Sequence, residues 1–152
     1  MSTMEPLALP EGYSISGDPT RLDLDRVHAF LATESYWAKD IPRAVVEKTV
    51  QHSLTWGIYH AGGQVGFARV ITDRATFAYL CDVFVDSGHR GIGLSKALVS
   101  TILAHPELQG LRRWMLVTAD AHTLYEQFGF SAPKHPERYM EIHRPGIYRQ
   151  GA

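Results

Sequence analysis

The 152-residue chain has one cysteine, Cys81, and almost no charge of either sign in excess: 15 lysines and arginines face 16 aspartates and glutamates, a formal net charge of −1. A lone cysteine excludes an internal disulfide framework and suits a reducing compartment. Balanced charge provides no broad positive field, so neither a nucleic-acid partner nor an anionic membrane surface is expected. No apolar run approaches the roughly 18 residues that a membrane helix needs. Met1–Pro10 has no basic stretch ahead of an apolar one, so no signal peptide is expected and the cytoplasm is the expected location. None of the eight histidines stands at a close metal-ligand spacing and no cysteine pair assists, so no metal is expected. At this length one domain buries a core without staples.

Within that single domain, placed over residues 13–143 with an arm at 1–12 and a tail at 144–152, the hydrophobic period changes along the chain. Tyr13–Ser16 reads as a short strand. Asp18-Pro19 reads as a cap followed by a first helical proline, with Leu24, Val27, His28 and Leu31 at helical spacing after it. A second helix starts near Pro42, its face formed by Val46, Val50 and Leu54. Leu54–His60 and Val65–Thr72 alternate as strands around the turn Ala61-Gly62-Gly63-Gln64, and Thr76–Val85 is a third such stretch. Leu94, Ala97, Leu98, Thr101 and Ile102 mark a strong helix that Pro106 stops. Arg113–Val117 reads as a strand, Ala121–Phe128 as a short helix capped by Gly129, and Arg138–His143 as a last strand. Hairpins and crossovers together give an α/β fold, a sheet of mixed direction flanked by helices.

The chemistry concentrates where Val83-Phe84-Val85 runs into Arg90-Gly91-Ile92-Gly93-Leu94-Ser95-Lys96. Small residues let backbone approach a ligand, and amides at a helix start point at an anion. The loop lacks the Gly-Lys-Ser/Thr ending of a P-loop and the third glycine of a dinucleotide fingerprint, since Lys96 stands there. From the loop alone, a phosphate cradle and a plain turn into a helix both remain open.

These residues resemble the GNAT acetyltransferase superfamily. Its signature, Arg/Gln-x-x-Gly-x-Gly/Ala after an apolar strand, is matched by Arg90-Gly-Ile-Gly93-Leu-Ser95 with serine in the last small position. A second family element, Tyr-x-x-x-Gly-Phe ending a short helix, stands as Tyr125-Glu-Gln-Phe-Gly129-Phe130. The resemblance implies a mostly antiparallel sheet with splayed central strands and acetyl-CoA as the donor. The pyrophosphate would lie on the amides of Gly91, Ile92, Gly93, Leu94, Ser95 and Lys96 beside Arg90. The pantetheine arm would pair with Val83, Phe84 and Val85. A homodimer is compatible with the class.

The resemblance also implies N-acetyl transfer to a primary amine by direct attack in a ternary complex, with Tyr125 as the general acid. A small-molecule amine is the favoured acceptor, ahead of a protein or peptide amino group or a coenzyme A-binding module without turnover. Where relatives often carry a glutamate on the motif strand, this chain has Cys81. Asp82 beside it reads either as a base acting through water or as a structural carboxylate capping buried amides, because alternation sends neighbours to opposite faces unless a bulge intervenes. Thr118 stands where many relatives place an asparagine that contacts pantetheine, and Asp120 reads as the cap of the short helix. Glu34, Tyr36, Trp37 and Tyr79 are the candidate acceptor residues, a carboxylate among aromatics that suits a cationic or amphipathic amine.

Overall fold

Alternating β-branched and aromatic residues build the centre of the molecule, a five-stranded sheet in the order β1-β2-β3-β4-β5. The structure is a computed structural model and describes residues 6–149. The strands are β1 (Tyr13–Ser16), β2 (Leu54–His60), β3 (Gly63–Thr72), β4 (Phe77–Val85) and β5 (Arg113–Leu116). The first three pairings are antiparallel and the last, β4 with β5, is parallel. Ala61 and Gly62 join β2 to β3 with φ of 50° and 81°, the positive pair that a two-residue hairpin turn of right-handed twist demands.

Each face of the sheet has its own apolar layer. On one face Trp56, Ile58, Ala68, Val70, Ala78 and Leu80 pack against helix α3 (Leu94–Leu103), whose Leu94, Leu98, Val99 and Ile102 are buried. On the other, Phe67 and Phe84 pack with Val27 and Phe30 of the first helical segment and Val46 of helix α2 (Arg43–Gln51). Phe30 and Phe84 stack at 3.9 Å with ring planes 8° apart, tying that segment to β4.

The sheet opens between its last two strands. The ladder between β4 and β5 runs from Phe77↔Arg113 to Leu80↔Leu116 and stops, whereas β4 continues to Val85 with β3 still beside it. Among the described residues, 81–85 therefore have no strand partner on the β5 side.

Several local expectations are corrected. Asp18-Pro19 opens only a short 3₁₀ turn; Asp23 is the residue that caps helix α1 (Leu24–Ala29), accepting from the Arg26 amide at 3.1 Å. The chain then widens into a π turn over Phe30–Glu34, a local under-winding that periodicity at 3.6 does not distinguish from helix. Leu54 belongs to β2, not to α2. The segment Arg138–His143 is no strand: Pro136–Arg138 form a 3₁₀ turn, and no ladder includes the residues that follow. The alternation is real, but a strand needs a neighbour to pair with.

Candidate active site

β4 leads straight into the glycine loop, and the local chemistry there follows from its backbone. Gly91 and Gly93 adopt φ of 82° and 86°, the left-handed region that a residue with a Cβ enters at a cost. Gly93 is the residue that starts α3, so the free amides of the first helical turn face the loop. Val85, Arg90, Gly91, Gly93, Ser95 and Lys96 line a cleft of about 190 Å³. Arg90 is fixed by its Nε donating to the Val85 carbonyl at 2.9 Å, which closes the loop back onto the strand end. His89, at the same cleft, shares a 2.7 Å hydrogen bond with the Tyr13 hydroxyl.

On β4 itself an extra residue changes everything downstream. Phe67 faces Phe84 and Arg69 faces Cys81, so two steps on β3 are matched by three on β4. This is a β-bulge, and Asp82 takes it up with φ of 55°. Before the bulge Ala78 and Leu80 point to α3; after it Val85 does, and Phe84 turns to the α1 side. The bulge also brings the Asp82 carboxylate to Arg69, whose Nε donates to it at 2.9 Å. The pair is largely buried, with side chains 13% and 9% exposed. Arg69 donates further to Ser53 Oγ at 3.1 Å, and Trp37 Nε1 donates to the second Asp82 oxygen at 2.8 Å. Asp82 thus receives side-chain donors rather than the buried amides expected of a capping carboxylate. Arg69 and Ser53 had not been singled out in the sequence, though an arginine inside an apolar strand calls for a buried carboxylate partner.

Tyr79 and Cys81 lie with this ion pair. Burial raises the Tyr79 phenol above its usual range, and the nearby Cys81 and Asp82 add to the rise. Burial likewise pushes the Cys81 thiol up to about 12, against a smaller opposing effect of Arg69. A thiol held neutral in this way is a poor nucleophile, which argues against an acyl relay through Cys81.

Across the splay, Tyr125 sits in the short helix α4 (His122–Glu126), 8% exposed and edge-on to Phe130 at 5.9 Å. Burial pushes its phenol up to about 12, and the neighbouring Tyr36 and Asp120 add to the effect. Its proton therefore stays on at neutral pH, as a proton donor requires. Thr118 Oγ1 accepts from the Ala121 amide at 3.0 Å; the start of α4 is held by this hydroxyl, and Asp120, expected as the cap, makes no capping bond there. Tyr36 spans the opening: its hydroxyl accepts from the Ala119 amide at 3.1 Å, linking the loop after α1 to the loop after β5. Glu34 stands 3.9 Å from Arg26, which is itself bonded to Asp86 at the end of β4. The structure thus gathers Tyr36, Trp37, Tyr79, Asp82 and Tyr125 around the splay, with Glu34 set back toward Arg26. Among the described residues no group of three histidine, cysteine or acidic side chains is placed to hold a metal ion.

The family model for the acetyltransferase (GNAT) domain matches residues 51–132, which include the bulged strand, the glycine loop and Tyr125. The chain belongs to the GNAT acetyltransferase family. A Gibberella zeae protein classed as an acetyltransferase is 31% identical over 135 residues, covering 74% of this chain and 75% of its own. A GNAT-family protein from Xanthomonas campestris pv. campestris, also classed as an acetyltransferase, shares 50% identity with a TM-score of 0.90, over 93% of this chain and 99% of that one. An acetyltransferase-class structure from Clostridium acetobutylicum, solved with acetyl-CoA, shares the fold at a TM-score of 0.61 and 12% identity, over 86% of this chain and 94% of that one. Membership makes this GNAT chain an acyltransferase, and no helix among its described residues is long and apolar enough to cross a membrane.

Proposed function

We propose that the protein transfers the acetyl group of acetyl-CoA to a primary amine of a small molecule, by direct attack within a ternary complex. The observation that carries this reading is β4 itself. It outruns its last partner on β5 at Leu80 and then ends in the glycine loop, so one continuous path offers unpaired backbone first and helix-start amides next. An elongated ligand with an amide-bearing arm and a phosphorylated end suits such a path. Val83, Phe84 and Val85 pair with the arm; Gly91 to Lys96 and Arg90 receive the pyrophosphate. Thr118, already bonded to the Ala121 amide, flanks the arm across the gap.

In the reaction the neutral amine nitrogen attacks the thioester carbonyl carbon, and a β4 amide polarises the carbonyl oxygen. The carbon–sulfur bond breaks, the thiolate takes the Tyr125 proton, and the amine proton leaves to water. Asp82 is bound by Arg69 and Trp37, so we assign it to holding Trp37 and the bulge in place rather than to free proton traffic. The acceptor enters between Tyr36, Trp37 and Tyr79. An opening bridged by the Tyr36–Ala119 bond favours a small amine over an extended polypeptide, and aromatic walls favour an amphipathic or cationic one.

Calorimetric titration with acetyl-CoA and with coenzyme A, followed by a thiol-release assay over amines and peptides, tests the proposal. Donor binding that weakens in Gly93→Asp, with turnover on small amines, is the expected result. No donor binding by the folded protein overturns it, and turnover confined to peptides overturns the acceptor assignment.

A further inference from the structure

Three side chains on neighbouring strands form an apolar row that belongs to neither core layer. Ile71 of β3 pairs with Tyr79 of β4, and Tyr79 pairs with Met115 of β5. Strand alternation puts all three on the face that carries Phe67, because their chain neighbours Val70, Leu80 and Trp114 pack toward α3. Helix α2 covers Phe67 on that face, yet none of the three enters the layer it forms. Ile71 is 43% exposed, and Tyr79 and Met115 are half-buried. Two inter-strand spacings give a floor about 10 Å across, wide enough to carry an aromatic ring.

The row is continuous with the reacting centre. Cys81 and the bulged Asp82 follow Tyr79 along β4, and Trp37, bonded to Asp82, stands at that end. Val117, next on this face of β5, is 75% exposed and lies two positions before Ala119, to which Tyr36 is bonded. A contiguous exposed apolar patch beside a catalytic opening marks a binding surface. Its charges narrow the occupant. Asp82 and Arg69 act together on the Tyr79 phenol, and each neutralises the other. Glu34 is turned toward Arg26, and Asp120 stands with Tyr125 across the opening. At the far end of the row, Arg113 precedes Met115 on the same face and places its guanidinium over the Tyr139 ring. A second ammonium on the acceptor would approach that positive charge while losing its water over an apolar floor.

We propose that the acceptor is a monoamine on an apolar, ring-bearing body, and that Ile71, Tyr79 and Met115 select it. The ring lies on the row and the nitrogen reaches the opening between Asp82 and Tyr125. This inference rests on the reading that the protein acetylates a small amine, and it states which kind. An apolar floor also suits the chemistry, since desolvation disfavours the ammonium form and the attacking nitrogen must be neutral.

The test compares phenethylamine with ethylamine, and pentylamine with cadaverine, which differs from it by a second amine. Wild-type kcat/KM should favour phenethylamine over ethylamine by on the order of 10²-fold, and pentylamine over cadaverine. Ile71→Thr keeps the β-branch at an exposed position, and Met115→Gln keeps the length of the side chain. Each should lower the first ratio several-fold through KM, with acetyl-CoA affinity unchanged. Calorimetry on protein loaded with coenzyme A reads phenethylamine binding without turnover. Equal kcat/KM for the ring-bearing and ringless amines, or no phenethylamine binding to the loaded protein, overturns the inference and leaves acetyl transfer standing. Variants that change sedimentation and not the ratio make the row a contact between copies, and the inference falls. A wild-type protein that does not bind acetyl-CoA overturns the proposed function itself.

Discussion

Trp37 Nε1 donates to Asp82 Oδ1 at 2.8 Å, so the loop after the π turn is fastened to the one residue of β4 that departs from strand geometry. Loop and bulge therefore move together. Trp37→Phe keeps an aromatic ring beside Phe30 and Tyr36 and deletes the donor. A hydrogen bond to a charged group contributes about 1.5–3 kcal/mol, less where one partner is exposed as Trp37 is. The Michaelis constant for the amine should rise several-fold while acetyl-CoA affinity stays constant. Steady-state kinetics with each substrate varied in turn checks this; equal losses in both would assign Trp37 to general folding instead.

Tyr125→Phe retains the ring against Phe130 and removes the proton. A positioned acid contributes on the order of 10²–10⁴ in rate, so turnover should fall by at least about 10² with the donor dissociation constant unchanged. A variant that turns over normally would require another proton source.

Gly93→Ala meets no atom within 4 Å, so the cost of the methyl is conformational alone, at a φ of 86°. About 1–2 kcal/mol of stability should be lost, together with donor affinity, because the amides at the helix start tilt. Gly88→Ala is the control: its surroundings are equally empty and its φ is not positive, so neither melting temperature nor calorimetric affinity should change appreciably.

Alkaline stability follows from the buried thiol and phenol. Cys81 moves from 9.0 to about 12 and Tyr125 from 10.0 to about 12 on folding. Between those values the unfolded chain has released protons that the folded chain keeps, so stability is complete below pH 9 and declines as pH rises toward 12. Cys81→Ala deletes one of these contributions, and its melting temperature should fall less steeply over that interval than the parent's.

Much of this architecture was legible in the chain because the relevant signals are local. The alternation of Leu54–His60 and Val65–Thr72 and the turn residues between them specify a hairpin regardless of what lies elsewhere. Gly91 and Gly93 announce a loop with left-handed backbone, and Pro106 marks the end of α3. What was not legible depends on partners distant in sequence. Nothing near Asp82 distinguishes a bulged aspartate from a regular one; Arg69 and Trp37, 13 and 45 positions away, receive its two oxygens. Arg138–His143 failed for the related reason that alternation states which way side chains would point and not whether a neighbouring strand exists. Asp120 suits the N-cap of α4 by residue type, whereas Ala121 occupies that position without a side-chain cap and its own amide is held by the Thr118 hydroxyl.

The bulge also sets what lengths of β4 the fold tolerates. Removing Asp82 itself would straighten the strand and leave Val83, Phe84 and Val85 on their present faces, with Phe84 still stacked on Phe30. A single-codon deletion there therefore spares the core and costs the fold the Arg69 counterion and the acceptor of the Trp37 bond. With the bulge kept, a residue gained or lost elsewhere in β4 would exchange the faces of those beyond it, so the residue count from Phe77 to the glycine loop is as much a part of the site as the residues themselves.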